Sequence, residues 1–172
     1  MYKLIGAVVL VAAGGAAGML VARDYARRPV EIRSIITALQ MLETEIIYSA
    51  TPLGEAMDRV ASATDGIVSG LFREASHSLL VGEGATAGEA WEKALVNFYR
   101  SSSLTVTDSA ILKNLGRALG RSGREDQEKH LKLACEQLKR ELSRAEEAAA
   151  KNTRMWNYLG FCGALAAVII LY

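Results

Sequence analysis

The chain has 172 residues, of which 51% are hydrophobic and 23% are charged, and its formal net charge is +1. A net charge this close to zero argues against a protein that binds nucleic acid electrostatically. The two histidines and two cysteines (His77, His130, Cys135 and Cys162) stand apart in the sequence and form no cluster with metal-ligand spacing, so we predict no metal site and no cofactor.

The two ends of the chain are its most apolar parts. Leu4–Ala22 is an uninterrupted apolar run, and Trp156–Tyr172 is nearly uninterrupted. Because a membrane-spanning helix needs about 20 apolar residues, we predict one transmembrane helix with its flank in residues 1–25 and a second in residues 154–172. A cleaved signal peptide is the alternative for the first run, but the arginines that follow this run resist translocation.

Basic residues border the central part of the chain on both sides. They are Arg23, Arg27, Arg28 and Arg33 after the first apolar run, and Lys151 and Arg154 before the second. The positive-inside rule places a domain bordered in this way in the cytoplasm, so we predict a two-pass protein of the cell membrane with a cytoplasmic central domain. The same residues suit contact with anionic membrane lipid.

Small residues recur at four-residue spacing within both predicted spans. They are Gly14 and Gly18 in the first span, and Gly160, Gly163, Ala164 and Ala167 in the second. This spacing lets helix backbones approach closely in lipid. It predicts helix–helix packing, either in a homo-oligomer or with another subunit, without naming the partner.

Residues 29–151 show a 3.6-residue periodicity and little strand character, which predicts an all-α bundle of six helices. A proline in the first turn, a threonine N-cap and a capping box mark the first, second and fourth helix starts. The predicted helices are Pro29–Ser49, Thr51–Pro52 to Thr64, Ile67–Val81, Thr86 to Ser101, Thr107 or Asp108 to Leu119, and one from Arg124 onward. No strong breaker separates the last helix from the second apolar run, so the two can form one helix of about 45 residues, roughly 70 Å long.

Glu43 interrupts the apolar stripe of the first predicted helix. The stripe consists of Ile32, Ile35, Ile36, Leu39, Leu42, Ile46 and Ile47. A carboxylate among these residues must be paired, because burying it alone is expensive. We therefore predict a structural buried acid, bound by the start of the second helix or by an arginine such as Arg59, Arg117 or Arg121, and we expect Glu43→Ala to destabilise the fold more than Glu45→Ala. The alternative is an acid exposed to a partner protein.

A candidate partner-binding patch surrounds the turn between the first two predicted helices. Its residues are Glu45, Tyr48, Thr51, Pro52 and Leu53. A carboxylate, a phenol and an apolar tip at one turn suit protein recognition. The alternative is that Glu45 is merely solvated and that Thr51 and Pro52 merely cap a helix.

No catalytic arrangement is visible in the sequence, so we predict that the chain is not an enzyme. The glycine-rich loop Gly82–Gly88 follows a helix and lacks the lysine of a phosphate-binding loop. Two alternatives to a structural platform stay open. One is a membrane-tethered regulatory protein, and the other is a small membrane enzyme that uses Glu43 or Glu45 as an acid or base.

Three stretches together resemble the stage III sporulation protein AB family. They are LETEIIYSATPLGEAMDRVA (Leu42–Ala61), LGRALGRSGREDQEKHLKLACEQL (Leu115–Leu138) and RMWNYLGFCGALAAVIILY (Arg154–Tyr172). The N-terminal LIGAVVLVAAG and ARDYARRP also fit, so the resemblance covers essentially the full length.

The resemblance implies a specific role. Members of this family sit in the mother-cell membrane that faces the forespore, in a channel complex required for endospore formation. Their soluble part is similar to the cytoplasmic helical domain of type II secretion F proteins, which couple an ATPase to the assembly above it. The implied partners are the companion sporulation ATPase, stage III sporulation protein AA, and the other stage III channel subunits.

Overall fold

The computed structural model describes residues 26–81, 84–121 and 123–171, with side chains up to residue 152 and at Met155 in the last of these ranges. Across these ranges the chain forms six α-helices and no strand, which confirms the all-α prediction for this part of the protein. The helices are α1 (residues 26–47), α2 (Leu53–Ala63), α3 (Gly66–Leu80), α4 (Ala87–Ser101), α5 (Val106–Ala118) and α6 (Arg124–Leu171). Val30–Ser143 form one compact unit, which we call the bundle.

Short connections make the helices of the bundle run in alternating directions, and contacts identify its two ends. At one end, near the start of α1, the Glu31 carboxylate accepts a hydrogen bond from the Ser103 N–H in the α4–α5 turn at 2.7 Å. We call this the entry end. At the other, a Cβ built on Gly120 would lie 2.7 Å from Ala87 Cβ and 3.8 Å from Leu53 Cδ2. This second end, called the turn end, thus unites the starts of α2 and α4 with the α5–α6 connection.

The centre of the bundle is built around Trp91 on α4, which is fully buried. Its ring packs edge-on against Phe72 with centroids 5.4 Å apart, and its Nε1–H donates to the Leu112 carbonyl at 2.8 Å. A buried indole needs such a partner for its N–H. Gly116 on α5 lies against the same ring, since a Cβ built there would come within 2.3 Å of Trp91 Cδ1. The missing side chain therefore lets α5 approach α4 closely.

Two capping boxes define the starts of α4 and α5. At α4, Thr86 and Glu89 form the predicted box, with the Thr86 N–H bonded to the Glu89 carboxylate at 2.9 Å. At α5, Thr105 and Asp108 form a second box, with 2.8 Å from the Thr105 N–H to Asp108 Oδ2. The predicted start at Thr107 or Asp108 was therefore wrong, because aspartate here fills the position that glutamate or glutamine usually fills.

The other helix boundaries follow the sequence pattern with one clear exception. The described part of α1 already includes residues 26–28, so Pro29 does not open this helix. Alanine and arginine are strong helix formers, which explains helix ahead of the proline. The prediction of a single long sixth helix is confirmed, since α6 runs unbroken over 48 residues.

The predicted membrane spans fall largely outside the described residues. Residues 1–25, with Gly14 and Gly18, are not among them. In the second span the helical backbone is described, whereas the small residues Gly160, Gly163, Ala164 and Ala167 lie outside the part whose side chains are described. Within the described residues, none of the helices combines the length and the apolar character that crossing a membrane requires.

Candidate partner-binding surface

The α1–α2 turn is closed by backbone hydrogen bonds to the last turn of α1. The Tyr48 N–H donates to the Thr44 carbonyl at 3.0 Å, and the Thr51 N–H donates to the Glu45 carbonyl at 3.0 Å. Between them, Ala50 adopts a φ of 52°, in the left-handed region. This conformation costs a residue with a side chain roughly 1–2 kcal/mol. The turn therefore keeps a sharp geometry that its sequence does not favour locally.

Glu45 joins α1 to α2 through its side chain. Its Oε2 accepts hydrogen bonds from Thr51 Oγ1 at 2.9 Å and from Arg59 Nη1 at 3.0 Å, and the side chain is 23% exposed. Because the Thr51 hydroxyl is directed to Glu45, the predicted threonine cap was wrong. α2 begins at Leu53, with Pro52 at the N-cap position and no side-chain cap.

Glu43 is paired across to α6. Its side chain is 19% exposed, so it is half-buried rather than buried, and its Oε1 lies 3.7 Å from Lys132 Nζ. Lys132 also binds Glu128, one turn earlier on α6. The hydrogen bond from Glu128 raises the pKa of Lys132 most, and the charges of Glu128, Glu43 and Tyr48 add to it. A lysine thus takes the place of the arginine or helix start that we expected, and Arg59 binds Glu45 instead.

Exposed apolar side chains gather at the turn end. Tyr48 is 81% exposed, and Leu80 and Val81, where α3 ends, are also exposed. Leu80 belongs to this end because its Cδ2 would lie 2.9 Å from a Cβ built on Gly54, in the first turn of α2. Together with the exposed Pro52 and the half-buried Leu53, these residues form what we call the turn-end face: Tyr48, Pro52, Leu53, Leu80 and Val81.

Sequence analysis missed Leu80 and Val81. Both continue the apolar pattern of α3, which by itself indicates a buried helix face. An open groove of about 290 Å³ lies beside Val81, between the end of α3 and the start of α4, with Lys93 on its far wall. The turn-end face is therefore larger than the patch predicted from the α1–α2 turn.

The charged groups near this face suit binding better than catalysis. Glu45 is engaged by Thr51 and Arg59, and Glu43 is engaged by Lys132. Across the described residues, no three His, Cys, Asp or Glu side chains converge as metal ligands do. What the arrangement offers is an exposed phenol and apolar groups bordered by ion pairs, which is the make-up of a protein–protein interface.

The structure reverses the order of stability that we expected for the two glutamates. Glu45→Ala should lower the free energy of unfolding by about 1–2 kcal/mol, because it removes two side-chain hydrogen bonds, one of them part-buried. Glu43→Ala should cost less than about 1 kcal/mol, because Lys132 is largely exposed and keeps Glu128. Chemical unfolding of the purified full chain, followed by circular dichroism, compares them. A larger loss for Glu43→Ala would contradict the pairing described here.

Comparison with known proteins places the chain in a family. The family model of stage III sporulation protein AB matches residues 3–172. Stage III sporulation protein AB of Bacillus subtilis (strain 168) is 39% identical over 171 residues, which are 99% of each chain. A solved structure of stage III sporulation protein AB (SpoIIIAB) matches with a TM-score of 0.67 and 38% identity, covering 72% of this chain and 97% of that chain. The chain therefore belongs to the stage III sporulation protein AB family.

Proposed function

We propose that this protein is a non-catalytic membrane platform of the mother-cell-to-forespore channel complex, and that its turn-end face binds a cytoplasmic ATPase. The observation that carries the proposal is the turn-end face itself. It joins a tyrosine that is 81% exposed to exposed apolar residues contributed by α3. Aromatic side chains of this kind are enriched among the residues that dominate binding energy.

The polar groups around the face support binding without rearrangement. Glu45, Thr51 and Arg59 already satisfy one another, so a partner can cover Tyr48 without leaving a charge unpaired. Lys132 on the α6 side is held by Glu128 and Glu43 in the same way. A rim of internally paired charges around an apolar centre is typical of protein interfaces.

The direction of the helices supports membrane anchoring at the opposite end. α1 starts at the entry end, and α6 starts at the turn end and runs back, so the bundle begins at Val30 and finishes at Ser143 on the same side. The apolar runs Leu4–Ala22 and Trp156–Tyr172 continue from these two positions. The 18 residues from Val30 to the end of α1 span about 27 Å, which separates the turn-end face from the entry end.

The ATPase is the partner implied by the resemblance to stage III sporulation protein AB and, through it, to type II secretion F proteins. Its identity is the part of the proposal that needs a direct test. A regulatory protein tethered to the membrane would use the same face for a different partner. An enzyme using Glu43 or Glu45 is disfavoured, because both carboxylates hold helices together.

Tyr48→Ser tests the docking surface. We expect association of the full chain with the stage III sporulation protein AA ATPase to weaken at least about tenfold, as for a central aromatic anchor. Because Tyr48 is almost fully exposed, the melting temperature should not change. Val96→Ser, an exposed apolar site on α4 away from the face, is the matched control and should bind normally. Unchanged affinity in both Tyr48→Ser and Val81→Ser would remove the face, and capture of a different protein by wild-type chain alone would favour the regulator.

Membrane orientation is tested separately with a cysteine at the exposed start of α6. In a Cys162→Ser background, Arg124→Cys should resist a membrane-impermeant thiol reagent in intact cells and react after permeabilisation, because the bundle is cytoplasmic. Tyr172→Cys, at the predicted external terminus, is the control and should react in intact cells. Native Cys135 is buried, and burial raises its pKa to about 11, so it stays mostly unlabelled. Labelling of Arg124→Cys in sealed cells would show that the orientation is inverted.

A further inference from the structure

The entry end carries an exposed surface whose composition differs from the rest of the bundle. The α4–α5 segment Tyr99–Thr107 contains a single charge, Arg100, although 23% of the chain is charged. Val106, the first residue of α5, is 76% exposed, and Tyr99 is also exposed. We call Tyr99, Arg100 and Val106 the entry surface.

The acidic groups next to this surface are turned to internal partners. Asp108 is fully buried and accepts from the N–H and the hydroxyl of Thr105, both at 2.8 Å. The Glu31 carboxylate accepts from the Ser103 N–H at 2.7 Å. The Arg100 guanidinium, in contrast, makes no hydrogen bond or ion pair with the described residues. The entry surface therefore presents apolar groups, a phenol and a cation with no competing carboxylate.

The position of this surface is set by the chain itself. The Glu31–Ser103 hydrogen bond ties the α4–α5 turn to the first turn of the bundle, where Val30 is also exposed. The bundle also ends at this side, at Ser143. The two segments that lead to the terminal apolar runs thus leave the bundle beside the entry surface.

We propose that the entry surface rests on the anionic surface of the membrane, with Val106 and Tyr99 in the headgroup region and Arg100 on a lipid phosphate. The proposal rests on the membrane anchoring proposed above. Tyrosine settles at the membrane–water interface, and guanidinium binds phosphate with two parallel hydrogen bonds. Such contact fixes the bundle upright, so the turn-end face points away from the bilayer.

Fluorescence quenching in the full-length protein tests this contact. An environment-sensitive fluorophore is placed at Val106→Cys in a Cys162→Ser background, in vesicles of phosphatidylcholine and phosphatidylglycerol. The same label at Tyr48→Cys reports the turn end, and a label on native Cys162 reports the predicted second span. We expect a quencher carried by the lipid headgroup region to lower and blue-shift the emission at position 106 and to leave position 48 unchanged. Adding Arg100→Glu should abolish the quenching at position 106, with circular dichroism unchanged.

Each other outcome has a distinct meaning. Quenching at position 162 together with equal, negligible quenching at positions 106 and 48 would overturn the entry surface while the membrane anchor stands. No quenching at position 162 would overturn the anchor and the entry surface together. Quenching at position 106 that persists in Arg100→Glu and in pure phosphatidylcholine would overturn the role of anionic headgroups.

Discussion

Gly116→Ala is expected to lower the free energy of unfolding by about 3 kcal/mol, the upper part of the range for overpacking a core. The new Cβ would lie 2.3 Å from Trp91 Cδ1 and 3.1 Å from its Cγ. The ring cannot move aside freely, because it is fully buried, packs on Phe72 and donates to the Leu112 carbonyl. Relief therefore requires α5 to move away from α4.

Gly70→Ala provides the matched control. Gly70 lies in the interior of α3 and is exposed, and a Cβ built there would have no neighbouring atom within 4 Å. Alanine at this position should stabilise the protein by about 0.5–1 kcal/mol, because glycine is a poor helix former. Chemical unfolding of the two purified full-length variants measures both effects. Equal behaviour of the two variants would show that α4 and α5 are not packed as closely as described.

Asp108→Ala is expected to cost about 2–3 kcal/mol, because it combines the loss of a helix cap with a loss of partners for buried groups. The Asp108 carboxylate is fully buried and closes the box with Thr105 at the start of α5. The same change at Glu89 removes a box of the same design at the start of α4, but there the carboxylate is exposed.

The comparison of these two boxes isolates the effect of burial. Glu89→Ala should cost only about 0.5–1 kcal/mol, the value of an exposed cap. Thermal and chemical unfolding of both variants, read by circular dichroism, give the two values. If Glu89→Ala proves as costly as Asp108→Ala, burial of Asp108 does not contribute and the packing of the entry end is wrongly described.

Local signals in the sequence predicted the helices well. The Thr86 and Glu89 box, the apolar stripe of α1 and the unbroken pattern of α6 each depend on residues within a few positions of one another. The start of α5 was missed because its box uses aspartate, although that signal is also local. Local chemistry was therefore sufficient for the elements and for most of their boundaries.

The candidate site depended on contacts that no local pattern contains. Glu43 meets Lys132 only because α6 packs beside α1, and Leu80 reaches the turn end only because α3 returns along α2. A helical wheel places Glu43 on one face but cannot name the helix opposite. For the same reason the wheel gave Glu45 the smaller structural role, whereas Thr51 and Arg59 give it the larger one.

The measurement that tests the central claim most directly is photo-crosslinking in sporulating cells from a single position on the turn-end face. A photoreactive amino acid replaces Tyr48 in the full chain, and the same residue replaces Val96 in the control; crosslinked partners are identified by mass. The account predicts that the stage III sporulation protein AA ATPase is captured from position 48 and not from position 96. Capture of the ATPase from position 96 alone would contradict it, as would abundant crosslinks from position 48 that never include the ATPase.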